Sequence, residues 1–425
     1  MLNTDNTIEL DYKNKIIKHK NNMHFIYDKI SKRKIFVSDE VLNYIVSAEK
    51  LKLDESSFIN CFENKDDKIY IRELMVMLKK VGFIKNENYN IELSKINNLN
   101  FRSVHLLLTN RCNLKCKHCS SNCEPDGEDT LGTDEIKNII LNLKETNPKR
   151  IVFSGGEPLL RHDFEEIIRY AKTLLKNTKF SLSTNGTLIN ENNVVMIKEL
   201  FNCVDISVDG IDEDSCSKVR GNGVFNKVIK SVYLLKKNGV NDISLSMVFG
   251  VNNTNMKDEF IGLNQKLGTT PIVRAFIPKG RGYQNKELFN NGDVKFPMLI
   301  ANIYNDKTKT NSTRINTCAC DAFENSLYID ANGDCYPCPS LNLDEYKIIN
   351  LAKENIKIEY VKNRMGVLKR EFLNVLDYKG TKCEICDINL FCWNCPADFI
   401  NAKNNNEIDF WCDLTKENLE AIVWG

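Results

Sequence analysis

Thr109-Asn110-Arg111-Cys112-Asn113-Leu114-Lys115-Cys116-Lys117-His118-Cys119 is the stretch on which the reading of this chain turns. It directly follows a short apolar run, 104–108, that reads as a β-strand, and its cysteines are spaced Cys-x3-Cys-x2-Cys. Three thiolates from one loop can wrap one face of a [4Fe–4S] cube and leave its fourth iron without a protein ligand. An open iron chelates a small molecule, whereas a fully ligated one mainly transfers electrons. The same open position separates catalytic from structural zinc sites. A zinc site or three buried thiols fits the same spacing, so this segment alone leaves the metal open.

The chain has 425 residues, enough for two or three domains. Its apolar fraction of 42% and charged fraction of 27% are those of an ordinary globular protein. Lys and Arg total 58 against 57 Asp and Glu, a net charge of +1. That balance gives no bulk attraction to nucleic acid or acidic membranes, and neither is expected as a partner. No apolar run approaches the roughly 18 residues of a membrane span. Residues 1–9 are polar, unlike a signal peptide, so a cytoplasmic protein is expected. There, sixteen cysteines point to metal or catalytic use rather than disulfides. Cys61, Cys203 and Cys216 stand alone and read as small buried hydrophobes. The others crowd into 112–123 and 318–412, beside Gly, Pro and Asn, in loops with little core to pack into.

Residues 100–305 alternate short apolar strands with amphipathic helices. Strands are expected at 104–108, 150–153, 180–183, 204–208, 243–248 and 271–276, and helices at 133–145, 164–175, 194–200 and 224–238. This alternation implies an α/β fold with a parallel sheet buried on both faces. Six such units imply a partial (β/α)6 barrel with functional groups at the C-terminal strand ends. Residues 1–95 read as a smaller unit. Strand-like segments at 15–19, 24–28 and 34–37 precede helices, with Ser38 as an N-cap and Gly82 as a C-cap, in the order of a winged-helix domain. Residues 315–425 read as irregular, with metal replacing part of a hydrophobic core.

The tri-cysteine loop after the first barrel strand resembles the signature of the radical SAM superfamily. The resemblance implies a [4Fe–4S] cluster on Cys112, Cys116 and Cys119 whose open iron binds the amino and carboxylate groups of S-adenosylmethionine. His118 stands where the family usually has an aromatic residue and is expected to pack against that cofactor. Further motifs follow at successive strand ends in family order. In Phe153-Ser154-Gly155-Gly156-Glu157-Pro158, the residues Gly155, Gly156, Glu157 and Pro158 would meet the methionyl amino group, with carboxylate and backbone acceptors facing an ammonium. The two glycines permit close backbone approach. Ser183 and Asn185, in Ser183-Thr184-Asn185-Gly186, match positions that contact the ribose or carboxylate. Asp209 ends the fourth strand, and Arg220 matches an arginine that reaches the cofactor carboxylate. Cys123 lies outside the motif and reads as structural or incidental. The implied reaction begins when an electron enters the cluster and cleaves a sulfur–carbon bond of the cofactor. The resulting 5′-deoxyadenosyl radical takes a hydrogen from the substrate, while the protein orients substrate and excludes quenchers. No catalytic acid or base is legible.

Gly333-x4-Cys338, then Cys383-x2-Cys386-x5-Cys392-x2-Cys395 and Cys412, resemble the SPASM domain that follows such barrels in peptide-modifying enzymes, with the last interval one residue shorter than usual. By that resemblance Cys383, Cys386, Cys392 and Cys412 hold one auxiliary [4Fe–4S] cluster. Cys320, Cys338 and Cys395 hold a second, whose fourth ligand is Cys318, Cys335 or a substrate sulfur. Structural zinc is the alternative. The N-terminal stretches 24–29, 34–38 and 81–84 resemble the leader-recognition domain of peptide maturases. Such a domain accepts a leader as an added strand; the alternative is an extension that only packs on the barrel.

The three resemblances in this order imply an enzyme that modifies a ribosomally made precursor peptide and draws electrons from a flavodoxin- or ferredoxin-type donor. The favoured product is a Cys thioether crosslink of the sactipeptide or ranthipeptide type. Carbon–carbon crosslinking and epimerisation are alternatives. Sulfatase-type formylglycine formation is disfavoured, because Pro339 follows Cys338 where those enzymes have Asp. An iron–sulfur electron carrier or sensor would explain the cysteines but not the GGEP segment.

Overall fold

The computed structural model describes residues 7–29, 33–86, 101–289, 325–352, 380–392, 395–404 and 406–424, with positions 31, 322, 360, 361, 363–368 and 378. Strands β1 (Lys15–Lys20), β2 (Met23–Asp28) and β3 (Lys34–Ser38) form an antiparallel sheet in the order β1-β2-β3. Asn21 and Asn22 make the β1–β2 turn in left-handed conformation, at φ 52° and 58°, which suits a two-residue hairpin. Three helices follow: α1 (Asp39–Lys50), α2 (Glu55–Asn60) and α3 (Lys65–Val81). The Ser38 hydroxyl accepts from the Val41 N–H at the start of α1, and Gly82, at φ 70°, closes α3.

Alternation along β2 gives this sheet two apolar faces. Ile26, with Val37 of β3, faces a core of Ile45, Met75, Leu78 and Phe83. Phe25 and Tyr27 point the other way, onto Ile388, Phe391, Leu419 and Trp424 near the C-terminus. The rings of Phe25 and Phe391 lie 4.8 Å apart.

The larger sheet contains six parallel strands in chain order: β4 (Ser103–Leu107), β5 (Arg150–Ser154), β6 (Lys179–Thr184), β7 (Cys203–Ser207), β8 (Ile243–Phe249) and β9 (Thr270–Ala275). Between them run α4 (Thr133–Lys144), α5 (Phe164–Leu174), α6 (Val194–Leu200), α7 (Glu213–Arg220), α8 (Val224–Lys237) and α9 (Lys257–Leu267). A one-turn helix, α10 (Arg281–Gln284), follows β9. The sheet is wider than six strands. β10 (Ser326–Ile329) pairs parallel to β4, and β11 (Asp334–Tyr336) and β12 (Ile349–Asn350) add antiparallel strands beyond it. The segment after 315 is therefore not wholly irregular. It also forms α11 (Asn389–Cys392), α12 (Pro396–Asn404) and α13 (Ile408–Trp424). Closely spaced cysteines hide the apolar period of these short elements.

Strand register separates two faces. Val104, Ile151 and Phe180 pair side by side, as do Leu106, Phe153 and Leu182, and Val204 with Ile243. All are fully or almost fully buried in the main core with the helices. On the opposite face Ser183, Asp205 and Ser244 form one row, and Ser207 pairs with Ser246. Most of this second row is buried as well, Asp205, Ser244 and Ser246 among it, so the sheet is covered on both faces but apolar on one only. This second face is rich in hydroxyls, and there His105 is desolvated enough to push its ring pKa down to about 4. Of the lone cysteines, Cys203 and Cys216 are buried but Cys61 is exposed, donating to the Ser57 carbonyl at 3.3 Å. Among the described residues no helix is long and apolar enough to cross a membrane.

The aromatic contact of Phe25 with Phe391 joins elements more than 360 residues apart. Phe25→Ala is expected to destabilise the full chain by about 3–5 kcal/mol, read as a lower urea midpoint. An unchanged midpoint would show that the two ends do not stabilise each other.

Candidate functional site

The tri-cysteine loop leaves the C-terminal end of β4 and is pinned from four sides. From β5, the Gly156 N–H donates to the Thr109 carbonyl and the Glu157 N–H to the Arg111 carbonyl, both at 2.8 Å. The glycines make this possible. A Cβ on Gly155 would press on the Thr109 backbone, and one on Gly156 would collide with the Arg111 carbonyl and the Cys112 side chain. The close approach expected of these glycines is thus an approach to the cysteine loop itself.

From β6, the Asn185 side-chain amide donates to Asn113 Oδ1 at 2.8 Å and lies 3.8 Å from the Cys112 Sγ. Ser183 is half-buried on the hydroxyl-rich face, beside Asp205. Glu157 is completely buried. Its carboxylate accepts from the Thr184 hydroxyl at 2.8 and 2.9 Å, the Asn185 N–H at 2.8 Å and the Leu159 N–H at 3.2 Å. Burial pushes this carboxyl up to about 6, against the pull of those hydrogen bonds. Its oxygens are turned toward β6, so in this structure the Glu157 side chain joins two strand ends. Pro158 is buried and opens a short 3-10 turn.

From β7 and α7 comes a buried charge cluster. Asp209, at φ 50°, accepts from Arg220 Nε at 2.6 Å, from the Val248 N–H at 2.6 Å and from His118 Nε2 at 2.5 Å. Burial alone would raise the Asp209 carboxyl, but the Arg220 guanidinium and the His118 ring hold it well below the usual range. Arg220 Nη1 lies 3.8 Å from Cys116 Sγ. The His118 ring is 5.8 Å from that of Phe289, which stacks on Phe276 at 4.3 Å.

The fourth side escaped the reading of the sequence. After β9, the Arg281 N–H donates to the Cys119 carbonyl at 3.0 Å, and its guanidinium donates to the carbonyls of Cys116, at 3.1 Å, and Cys123. Gly280 packs against the Cys119 and Ser120 carbonyls where no Cβ fits. Gly280-Arg281-Gly282 was the available signal, an arginine between glycines just past a strand end.

Cys112 and Cys116 are buried, and burial pushes the Cys112 thiol up to about 11 and raises that of Cys116. Cys119 is held low by a hydrogen bond with Cys123, whose own thiol is raised in turn. Cys123 is therefore a partner of the third motif cysteine. Buried thiols that raise one another's pKa become stable thiolates when a cation replaces their protons. The donor set suits an iron–sulfur cluster.

Residues 106–262 match the Radical SAM superfamily. The protein MJ0907 of Methanocaldococcus jannaschii is 32% identical over 288 residues, covering 63% of this chain and 96% of that one. The chain belongs to the radical SAM superfamily. Membership implies S-adenosylmethionine and a [4Fe–4S] cluster. The mycofactocin maturase MftC of Mycolicibacterium smegmatis is 34% identical over 176 residues, 41% of this chain and 44% of that protein. The first curated relatives are matched over less than half of their length, 37–47%. Among solved structures, the fold is similar to Streptococcus suis SuiB bound to S-adenosylmethionine, with TM-score 0.53, 14% identity and coverage of 93% of this chain and 96% of that one. The same protein bound to its precursor peptide SuiA gives TM-score 0.53 at 12% identity, with coverage of 93% and 97%.

The remaining cysteines of this radical SAM chain separate in space. Cys383, Cys386, Cys392 and Cys412 line one cavity of about 60 Å³ together with Lys382 and Lys416. Cys338 and Cys395 pack elsewhere, against the main core. Cys335 is fully buried in that core, its Sγ 3.8 Å from the Gly333 carbonyl. Cys318 and Cys320 lie outside the described residues.

Gly156→Ala is expected to push the β5 end off the cysteine loop, so that the reconstituted chain loses about four irons while the urea midpoint of the N-terminal unit is retained; full iron content would refute the close-approach argument. A second expectation concerns Glu157. Its folded carboxyl titrates above its ordinary 4.5, so its contribution to stability is fully present below that pH and lost as pH rises through about 6. Relative to Glu157→Gln, the wild-type chain should lose about 2 kcal/mol across that window, measured by melting the two chains side by side. Parallel curves would mean that the carboxyl is not the titrating group.

Proposed function

We propose that this chain is a radical SAM maturase that installs Cys thioether crosslinks in a ribosomally made precursor peptide. The observation that carries the reading is the cysteine loop held at the C-terminal strand ends of a sheet with one hydroxyl-rich face, with a second four-cysteine cavity in the same chain. Cys112, Cys116 and Cys119 hold the cluster that binds S-adenosylmethionine. When bound, that pair supplies a 5′-deoxyadenosyl radical able to take a hydrogen from an unactivated carbon. The chain's own residues do the positioning. The glycines of β5 and Arg281 keep the loop rigid, and Arg220 keeps a positive charge beside Cys116, offsetting thiolate charge. Backbone groups of 155–158, with Ser183 and Asn185, face the cofactor, and His118 packs beside it.

Cys383, Cys386, Cys392 and Cys412 hold an auxiliary [4Fe–4S] cluster. A single water needs roughly 10–15 Å³ of such space, so a cavity of about 60 Å³ suits a multi-atom group better than one zinc ion. Cys338 and Cys395, with Cys320, hold another, whose fourth ligand is Cys318, Cys335 or a substrate thiolate. In this reading residues 1–95 are the leader-recognition domain, 100–305 the barrel and 315–425 the SPASM domain. Strands β1 and β3 each pair only with β2 among the described strands, leaving edges for an added peptide strand. SuiB, solved with its precursor peptide, and the mycofactocin maturase by its name support a peptide substrate. A flavodoxin- or ferredoxin-type protein supplies electrons in the cytoplasm.

The test is anaerobic reconstitution with iron, sulfide, S-adenosylmethionine and dithionite. Wild type should hold about twelve irons and release 5′-deoxyadenosine; Cys116→Ala should hold about eight and release none. With the precursor peptide, each crosslink should remove about 2 Da and one free thiol. Deoxyadenosine without thiol loss would eliminate the thioether assignment and leave the radical enzyme; no deoxyadenosine from wild type would eliminate both.

A further inference from the structure

The chain has five histidines, and two of them, His19 and His24, face each other across the β1–β2 hairpin, a directly paired position in the strand register. Their rings are 4.5 Å apart. Asp39, the first residue of α1, closes the group: its Oδ1 lies 2.9 Å from His19 Nε2 and 3.0 Å from His24 Nε2. Among the described residues this is the group of His, Cys, Asp or Glu whose ligand atoms all lie within 4.8 Å of one another.

One arm is an ordinary hydrogen bond, between His19 Nε2 and Asp39 Oδ2 at 3.0 Å; the other carboxylate oxygen is not so satisfied. Oδ1 is buried, yet neither ring nitrogen donates to it in hydrogen-bond geometry; the His19 ring is directed at Oδ2 instead. Two ring nitrogens approach one buried, unsatisfied carboxylate oxygen, and the three atoms are arranged as donors around a common centre. A tetrahedral zinc with bonds of about 2.0–2.1 Å places its ligand atoms about 3.3 Å apart. The two nitrogen–oxygen spacings, 2.9 and 3.0 Å, need widen by only a few tenths of an ångström. The group opens to solvent on the His19 side, where the side chain is half-exposed, so an ion can enter and keep a water as its fourth ligand.

We propose that His19, His24 and Asp39 form a binding site for a divalent first-row transition ion, zinc in the first instance, separate from all the cysteine sites. Two imidazoles and one carboxylate suit zinc, nickel or cobalt, and not magnesium or calcium, which take all-oxygen shells. The ion ties the hairpin to the start of α1. The same hairpin meets α13: Asn21 Nδ2 donates to the Trp424 carbonyl at 3.2 Å, and Lys20 pairs with Glu420 at 3.3 Å. Metal at this corner therefore stiffens the junction between the small sheet and the last helix, independently of the radical chemistry.

The test uses the full chain after anaerobic reconstitution of its iron–sulfur sites, equilibrated with micromolar Zn²⁺, with zinc and iron counted together. Wild type is expected to bind one zinc more than His19→Ala at equal iron, with half-saturation shifted by at least ~100-fold in the variant, the upper end of what loss of even an outer-shell partner does. Asp39→Asn, which keeps the side-chain shape, should lose the same zinc. Zinc X-ray absorption should show only nitrogen and oxygen neighbours near 2.0 Å. Equal zinc in wild type and both variants, or a sulfur shell near 2.3 Å around the extra ion, would overturn the proposal.

Discussion

Everything at the mouth of the large sheet depends on how closely the backbone after β5 approaches the cysteine loop after β4. The amides of Gly156 and Glu157 bond the carbonyls of Thr109 and Arg111, and no side chain larger than hydrogen fits between the two strands of backbone there. The contact turns a loop that would otherwise be free into an extension of the sheet. It also satisfies loop carbonyls that no helix or strand would satisfy, which a buried backbone requires. Once the loop is fixed, Asn185, Arg220 and Arg281 find their partners on it from three other strand ends.

The charges are arranged around the same constraint. Asp209 and Glu157 are both buried carboxyls close to the motif cysteines, but their environments push them apart. Asp209 has Arg220 and His118 in direct contact and is held ionised; Glu157 is bonded by neutral donors only, and burial pushes its carboxyl up to about 6. The Asp209–Arg220 pair leaves a guanidinium edge 3.8 Å from the Cys116 sulfur. A site that must accept negative charge on three thiolates gains from a fixed cation held by a carboxylate that cannot protonate at ordinary pH.

The small sheet and the C-terminal helices are joined by apolar contact. One face of the small sheet covers its own helices and the other covers Phe391, Leu419 and Trp424. In the proposed function this places the unit that would hold a leader on the same body as the four-cysteine cavity. That is a mechanical reason for a sheet with two apolar faces in so small a unit.

Local order determined much of this in the sequence alone. The period of apolar residues marked β4 to β9 and the main helices to within a residue or two, because each strand–helix unit buries its own stripe. The Cys112–Cys119 spacing, the glycines 155 and 156 and the polar strand ends were legible for the same reason: chemistry carried by neighbours in sequence can be read in sequence. Tertiary structure decided the rest. Only the register showed that one sheet face is serine-rich and that β10 joins the sheet beside β4, and only side-chain packing turned Glu157 toward Thr184. Arg281 and Cys123 acquire their roles from partners in a folded loop. Cys383, Cys386, Cys392 and Cys412 share one cavity only because α13 returns to cover α11. Contacts between distant segments depend on how layers pack, and no local spacing encodes that.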